Sequence, residues 1–207
     1  LSLGVTTLFW GSGATMRLIV LDWAIIWLSF NLEQATRLIA IVAFGTAFGA
    51  VIAGKYVQLR QAFKVLPAGI LMGGLVVSML FVHNVYLASV LMFLVGALGG
   101  FFVVPLNAML QHRGHLLMGA GHSIAVQNFN ENLGILVMVG AHALLVKYFS
   151  SPVSADAAPV VIDYFSKTGG MPPMYAIVAG FGAMLGLVML GITLIHWLRV
   201  KRGELHT

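Results

Sequence analysis

Apolar residues dominate six stretches of the chain, at about residues 1–28, 38–57, 65–82, 85–109, 120–149 and 174–198, with polar connections between them. Each stretch approaches or exceeds the roughly 20 apolar residues that cross a bilayer as a helix. In lipid every backbone N–H and C=O must be satisfied internally, which selects helices over open sheets. The pattern therefore predicts an all-α membrane protein with six transmembrane helices. Most connections are short. The exception, 150–173, carries Pro152, Pro159, Asp156, Asp163, Lys167 and the pair Gly169–Gly170. Its middle, 160–165, fits either a short interfacial helix or an ordered loop, and 199–207 reads as a polar tail.

Composition agrees with this reading. Of the 207 residues 60% are hydrophobic and 8% charged, against roughly 25% charged in a soluble domain. There is no cysteine, hence no disulfide framework or thiol chemistry. The net charge of +5 does not form a nucleic-acid patch, because the basic residues fall in the connections, where they set topology. With the first stretch starting on the cytoplasmic side, the inner connections and tail hold Lys55, Arg60, Lys64, Arg113, Arg199, Lys201 and Arg202, and the outer ones hold Arg37, Lys147 and Lys167. That imbalance places both ends of the chain in the cytoplasm and 150–173 outside. No basic stretch or cleavage site precedes the first apolar run. Six helices with both ends inside also match one half of a twelve-helix transporter, so the chain is expected to be part of a longer one.

Polar side chains inside these stretches are the candidate functional residues, since ionisable groups at membrane depth are expensive and face a bundle interior or a water-filled path. Arg17 falls near the middle of the first stretch, where a guanidinium needs an anion; it either meets a phosphate or carboxylate during transport or locks helix packing as a permanent ion pair. Asp22 is five residues on, about 140° around the helix, so the two cannot share a face. It is either an outer-vestibule site or a solvated helix end. Glu131, at a depth counted as similar to that of Arg17, is the expected partner. Gln127, Glu131, Gly134 and Met138 fall on one helical face, with His142 close to it, predicting a polar stripe along a cavity. Asn128 and Asn132 form a second pair beside it, while Asn130 points away and reads as interhelical glue. Asn107 follows Pro105, where a kink is expected. The pairs Gly45–Gly49, Gly69–Gly73 and Gly182–Gly186 have the spacing of closely packed membrane helices.

Three strings, 8–17 (LFWGSGATMR), 99–111 (GGFFVVPLNAMLQ) and 119–132 (GAGHSIAVQNFNEN), together with Pro67-Ala-Gly-Ile-Leu71, resemble the bacterial lysophospholipid transporters of the major facilitator superfamily. The resemblance covers most of residues 1–138. It implies the C-terminal six-helix half of an inner-membrane carrier that moves lyso-phosphatidylethanolamine and related lysolipids from the outer to the inner leaflet by alternating access. It also implies, as partners, the lysolipid, membrane lipids, an N-terminal half of the same chain and a functional link to a lysophospholipid acyltransferase. Gln58 stands where superfamily members often carry an acidic gating residue. On this reading Arg17 engages the headgroup phosphate, Gln127 and Asn128 hold the glycerol or ethanolamine, and Glu131 competes for Arg17 in the empty site. The alternative is another permease of the superfamily, for drugs or small solutes. An intramembrane acyltransferase would need Ser123 to converge with His122 or His142 and a carboxylate, and the sequence has neither a serine-elbow pattern nor a metal or cofactor motif.

Overall fold

A computed structural model describes residues 2–202. The chain forms α1 (Ser2–Leu28), α2 (Leu32–Tyr56), α3 (Leu66–Ser78), α4 (Val85–Met118), α5 (Ala120–Phe149), α6 (Pro159–Thr168) and α7 (Met174–Lys201). Short 3₁₀ turns, Leu59–Val65 and Met79–Phe81, bracket α3. Six helical stretches are long and apolar enough to cross a membrane, one being α3 with its flanking turns. The all-α, six-span architecture is thus as the apolar pattern predicts.

Helix ends differ from the apolar boundaries for local reasons. The second helix begins at Leu32 rather than near residue 38, because Asn31 and Gln34 form a reciprocal capping box: the Asn31 side chain accepts from the Gln34 N–H at 2.8 Å, and Gln34 Oε1 accepts from the Asn31 N–H at 3.0 Å. Two orphan donors are thereby satisfied, and the polar first turn becomes helical. Asn31→Ala is expected to cost about 1 kcal/mol, seen as faster amide exchange at Gln34; unchanged exchange would show that the box contributes nothing. The fourth helix starts on Asn84, whose side chain accepts from the N–H groups of Tyr86 and Leu87. It then runs through Pro105 to Met118, nine residues past the apolar stretch, so the α4–α5 hairpin projects beyond the hydrophobic band. In the long connection the helical alternative holds: α6 is closed by Gly169 at φ 96°, and Ser151 and Met171 exchange two backbone hydrogen bonds at the neck. The tail is helical through Lys201; 203–207 lie outside the described residues.

The helices pair across the chain rather than along it: α1 packs on α5, α2 on α4 and α3 on α7. Glycine makes each approach possible. The α2–α4 seam uses the expected pair Gly45–Gly49 and a further pair, Gly96–Gly100; a methyl group on any of the four would collide with a carbonyl oxygen of the facing helix. Their contacts run in step, Gly45 with Phe93 and Ala97, Gly100 with Thr46 and Ala50, so α2 and α4 are parallel. On Gly73 a methyl would stand 2.6 Å from the Gly186 nitrogen, while Gly69 meets Met189 and Gly182 meets Val77, making α3 and α7 antiparallel. Exchanging α1, α2, α3 for α4, α5, α7 turns the α1–α5 pair into α4–α2 and leaves α3–α7 unchanged. The bundle is therefore two three-helix units related by an internal pseudo-two-fold, the arrangement of inverted-repeat transporters.

The core lies where α1, α3, α4 and α7 meet. Trp23, Ile19, Phe102, Leu106, Met79 and Met189 are fully buried there. Trp23 Nε1 donates to the Met79 carbonyl at 3.0 Å and Trp27 Nε1 to the Leu80 carbonyl at 3.3 Å, so the 3₁₀ turn after α3 is stapled to α1. The outer faces of α2 and α5 are apolar and open: Phe44, Phe48 and Val51 on one, Leu133, Leu136 and Val137 on the other.

Candidate functional site

On α1 the side open to the surroundings is narrow. Trp10, Gly13 and Arg17, at steps of three and four, form an exposed stripe, with Thr15, Met16, Ile19 and Val20 buried on the remaining faces. Arg17 therefore looks out of the bundle, about half-way along α1. Among the described residues it has no ion-pair partner; the only two ion pairs there are Glu33–Arg37 and Asp163–Lys167, both exposed i,i+4 pairs. Such pairs are worth a few tenths of a kcal/mol.

Glu131 does not meet Arg17. The α1–α5 seam is parallel and its register is explicit. Gly11 abuts Gly134 and Met138, Gly134 abuts Thr7, and Ser12 Oγ donates to Met138 Sδ at 3.7 Å. Residue n of α1 thus lies level with about residue n + 126 of α5. On that scale Glu131 is level with residue 5 and Arg17 with residue 143, about 18 Å apart along the axis at 1.5 Å per residue. Depth counted from the start of each apolar stretch misplaces Glu131, because α5 begins well beyond the level at which α1 starts.

Glu131 has a different partner. Gln127 Nε2 donates to Glu131 Oε1 at 2.7 Å and to Asn107 Oδ1 at 3.4 Å. The cluster ties α4 to α5 near their shared hairpin. Gln127 is buried and its Oε1 has no partner. Gln127→Leu leaves Glu131 without its donor and should cost about 1 to 3 kcal/mol, while Gln127→Leu with Glu131→Leu should recover much of it, since removing both partners avoids an unsatisfied group. Detergent-resistance melting curves of the single and double variants check this, and equal losses in both would contradict it.

The predicted stripe is correctly placed in angle but serves another purpose. Gly134 and Met138 pack on α1 instead of lining a cavity. Asn128 and Asn132 are exposed, with Asn132 Nδ2 donating to the Asn128 carbonyl at 2.8 Å. Asn130 likewise returns its amide to the Val126 carbonyl at 2.8 Å, so it bonds within its own helix rather than across to another. At the level of residue 2 of α1, Asn128 is about 22 Å along the axis from Arg17 and cannot share one headgroup with it. Ser123 lies nineteen residues from His142 on the same helix, about 28 Å away, so these two cannot form one nucleophilic site.

Asp22 is half-buried, on a separate cavity formed with His142 and α6. His142 is buried and its Nδ1 has no partner. Burial, with the charge of Asp22 adding to it, raises the Tyr164 hydroxyl above the usual tyrosine range. The grouping joins three elements distant in sequence, which is why residue patterns alone did not bring them together.

Comparison with known proteins completes the picture. The chain is 44% identical over 147 residues to the lysophospholipid transporter LplT of Yersinia enterocolitica, which covers 70% of this chain and 36% of that protein. The lysophospholipid transporters LplT of Yersinia pestis and Yersinia pseudotuberculosis are 43% identical over 155 residues, 74% of this chain and 38% of each of theirs. The chain is a homologue of the lysophospholipid transporters LplT. It spans less than two fifths of the length of these LplT relatives, all of which are named as transporters. No protein-family model matches the chain, and no solved structure matches it.

Proposed function

We propose that this chain is the C-terminal six-helix half of a major facilitator superfamily carrier that moves lysophospholipids across the bacterial inner membrane, from outer to inner leaflet, for re-acylation on the cytoplasmic side. Homology to the LplT transporters supports the substrate class, and the internal pseudo-two-fold of the bundle supports the superfamily. The observation that carries a mechanism is Arg17, exposed on the open stripe of α1 and without an ion-pair partner among the described residues.

A guanidinium in an apolar wall is costly without an anion, and it matches phosphate in bidentate fashion. Because Glu131 lies about 18 Å along the axis from Arg17, no carboxylate of α5 competes for Arg17, which stays free to take a headgroup phosphate. The acyl chain would follow the apolar side chains beside the stripe. On this reading the Asn107–Gln127–Glu131 cluster holds α4 and α5 together at the hairpin end, on the cytoplasmic side. Rocking of this half against another around Arg17 would then expose the site to each face in turn.

The test is uptake of lyso-phosphatidylethanolamine by membrane vesicles from cells expressing the gene that encodes this chain, against vesicles lacking it. Saturable uptake supports the reading. Should the vesicles move drugs or small solutes and no lysolipid, the general permease reading takes its place.

A further inference from the structure

We propose that Trp10 and Gly13 complete the Arg17 site by holding the acyl ester of the bound lipid, Trp10 as its contact surface and Gly13 as the space its glycerol crosses. Thr6, Trp10, Gly13, Arg17, Val20 and Ala24 follow one another along α1 at alternating steps of four and three, so they lie on one line of the helix surface. Only the middle of that line is open. Thr6 and Val20 are 1% exposed and Ala24 0%, whereas Trp10 is 39% exposed and Gly13 and Arg17 are exposed with it. The opening is therefore a bounded window, about 10 Å from residue 10 to residue 17 at 1.5 Å per residue. Nothing stands within 4 Å of where a Cβ on Gly13 would be. The window thus has a cation at one end, an aromatic ring at the other and bare backbone between.

The indole is oriented by its neighbours. It meets Phe9 edge-on, with ring centroids 5.9 Å apart at 82°, and Phe9 lies 5.7 Å from the ring of Phe102, which is fully buried on α4. Edge-to-face pairs of this kind favour one ring geometry. The indole N–H groups of Trp23 and Trp27 donate to backbone carbonyls, while that of Trp10 makes no hydrogen bond among the described residues. Trp10 therefore presents an apolar face with a donor left over. Read from Arg17, the window offers a cation, an empty span and then an apolar ring with one donor. A glycerophospholipid supplies the matching order: a phosphodiester, a slim glycerol, and an ester whose carbonyl accepts and whose first methylenes lie on the ring. Any side chain at position 13 would fill the space the glycerol crosses. The inference rests on the lipid-carrier reading and adds the residues that recognise the acylated end; the headgroup beyond the phosphate plays no part in it.

The experiment is fluorescence titration of the protein purified from the gene encoding this chain, with lyso-phosphatidylethanolamine brominated either on the carbon beside the ester carbonyl or at the end of the chain, and calorimetry alongside to read affinity. The bromine beside the ester should quench tryptophan emission saturably and more strongly than the one at the chain end. Trp10→Phe, which keeps an aromatic ring, should remove most of that quenching with little change in affinity. Gly13→Leu should weaken binding about tenfold or more, and Gly13→Ala less. Glycerophosphoethanolamine, which has no acyl ester, should bind wild type and Trp10→Ala equally, whereas the lysolipid should bind Trp10→Ala several-fold more weakly. Quenching that survives Trp10→Phe, or a chain-end bromine that quenches as well as the other, would overturn the placement of the ester. Lower melting temperatures of Trp10→Phe and Gly13→Leu with unchanged affinity would make the window a seat for another helix and overturn the site. Binding of no lysolipid at all would instead overturn the carrier reading beneath it.

Discussion

Arg17→Ala should reduce lysolipid uptake about 10- to 100-fold while leaving insertion and expression unchanged. The magnitude follows from losing a charge-assisted hydrogen bond to phosphate, about 1.5 to 3 kcal/mol, at a factor of ten per 1.4 kcal/mol. Stability should not fall, because Arg17 is exposed and has no ion-pair partner among the described residues. This separates the transport role from a packing role: a structural ion pair would lower thermal stability when cut, and a phosphate site would not. Arg17→Lys should restore part of the uptake, since a lysine keeps the charge but loses the planar fork. Full activity in Arg17→Ala would remove the central element of the proposed mechanism.

The second large effect concerns packing. Gly49→Ala should destabilise the protein by about 3 kcal/mol, the upper end of what overpacking a tight contact costs. The added methyl would collide with the Ala97 carbonyl on α4, which is backbone and cannot swing aside as a side chain could. Gly54→Ala is the matched control on the same helix. Nothing stands within 4 Å of a methyl there, and replacing this last-turn glycine by alanine should stabilise by up to about 0.5 to 1 kcal/mol. Unfolding titrations in mixed micelles of the two variants measure the difference. Equal stabilities would mean that α2 and α4 are not in backbone contact.

The residues themselves announce the spans and much of the packing. Twenty or so apolar residues in a row leave few alternatives to a membrane helix, and glycines four apart mark where helices touch. The face of α5 was legible too, because helical periodicity fixes angles: Gln127, Gly134, Met138 and His142 do share the side that packs inward. What periodicity leaves open is axial offset. Two helices with identical faces can slide past one another by whole turns, and only the interlocking of Gly11, Gly134 and Thr7 sets the register. The Arg17–Glu131 pairing fails for that reason alone. The Asp22 cavity was hidden by a related limit, because α6 joins α1 and α5 through a loop whose path no local pattern dictates.

Cross-pairing of the two three-helix units also dictates an order of assembly. Emerging from the ribosome, α1, α2 and α3 have little to hold on to among themselves, since α1 waits for α5, α2 for α4 and α3 for α7. The glycine grooves of α2 stay open until Gly96 and Gly100 arrive, and Arg17 sits in a helix still missing its longest neighbour. The first unit is therefore a template before it is a structure, exposed to quality-control proteases for the time it takes to make the second. A stall or truncation before α4 would leave three inserted but unpacked helices, which gives the α4–α5 hairpin a part in biogenesis beyond its place in the fold.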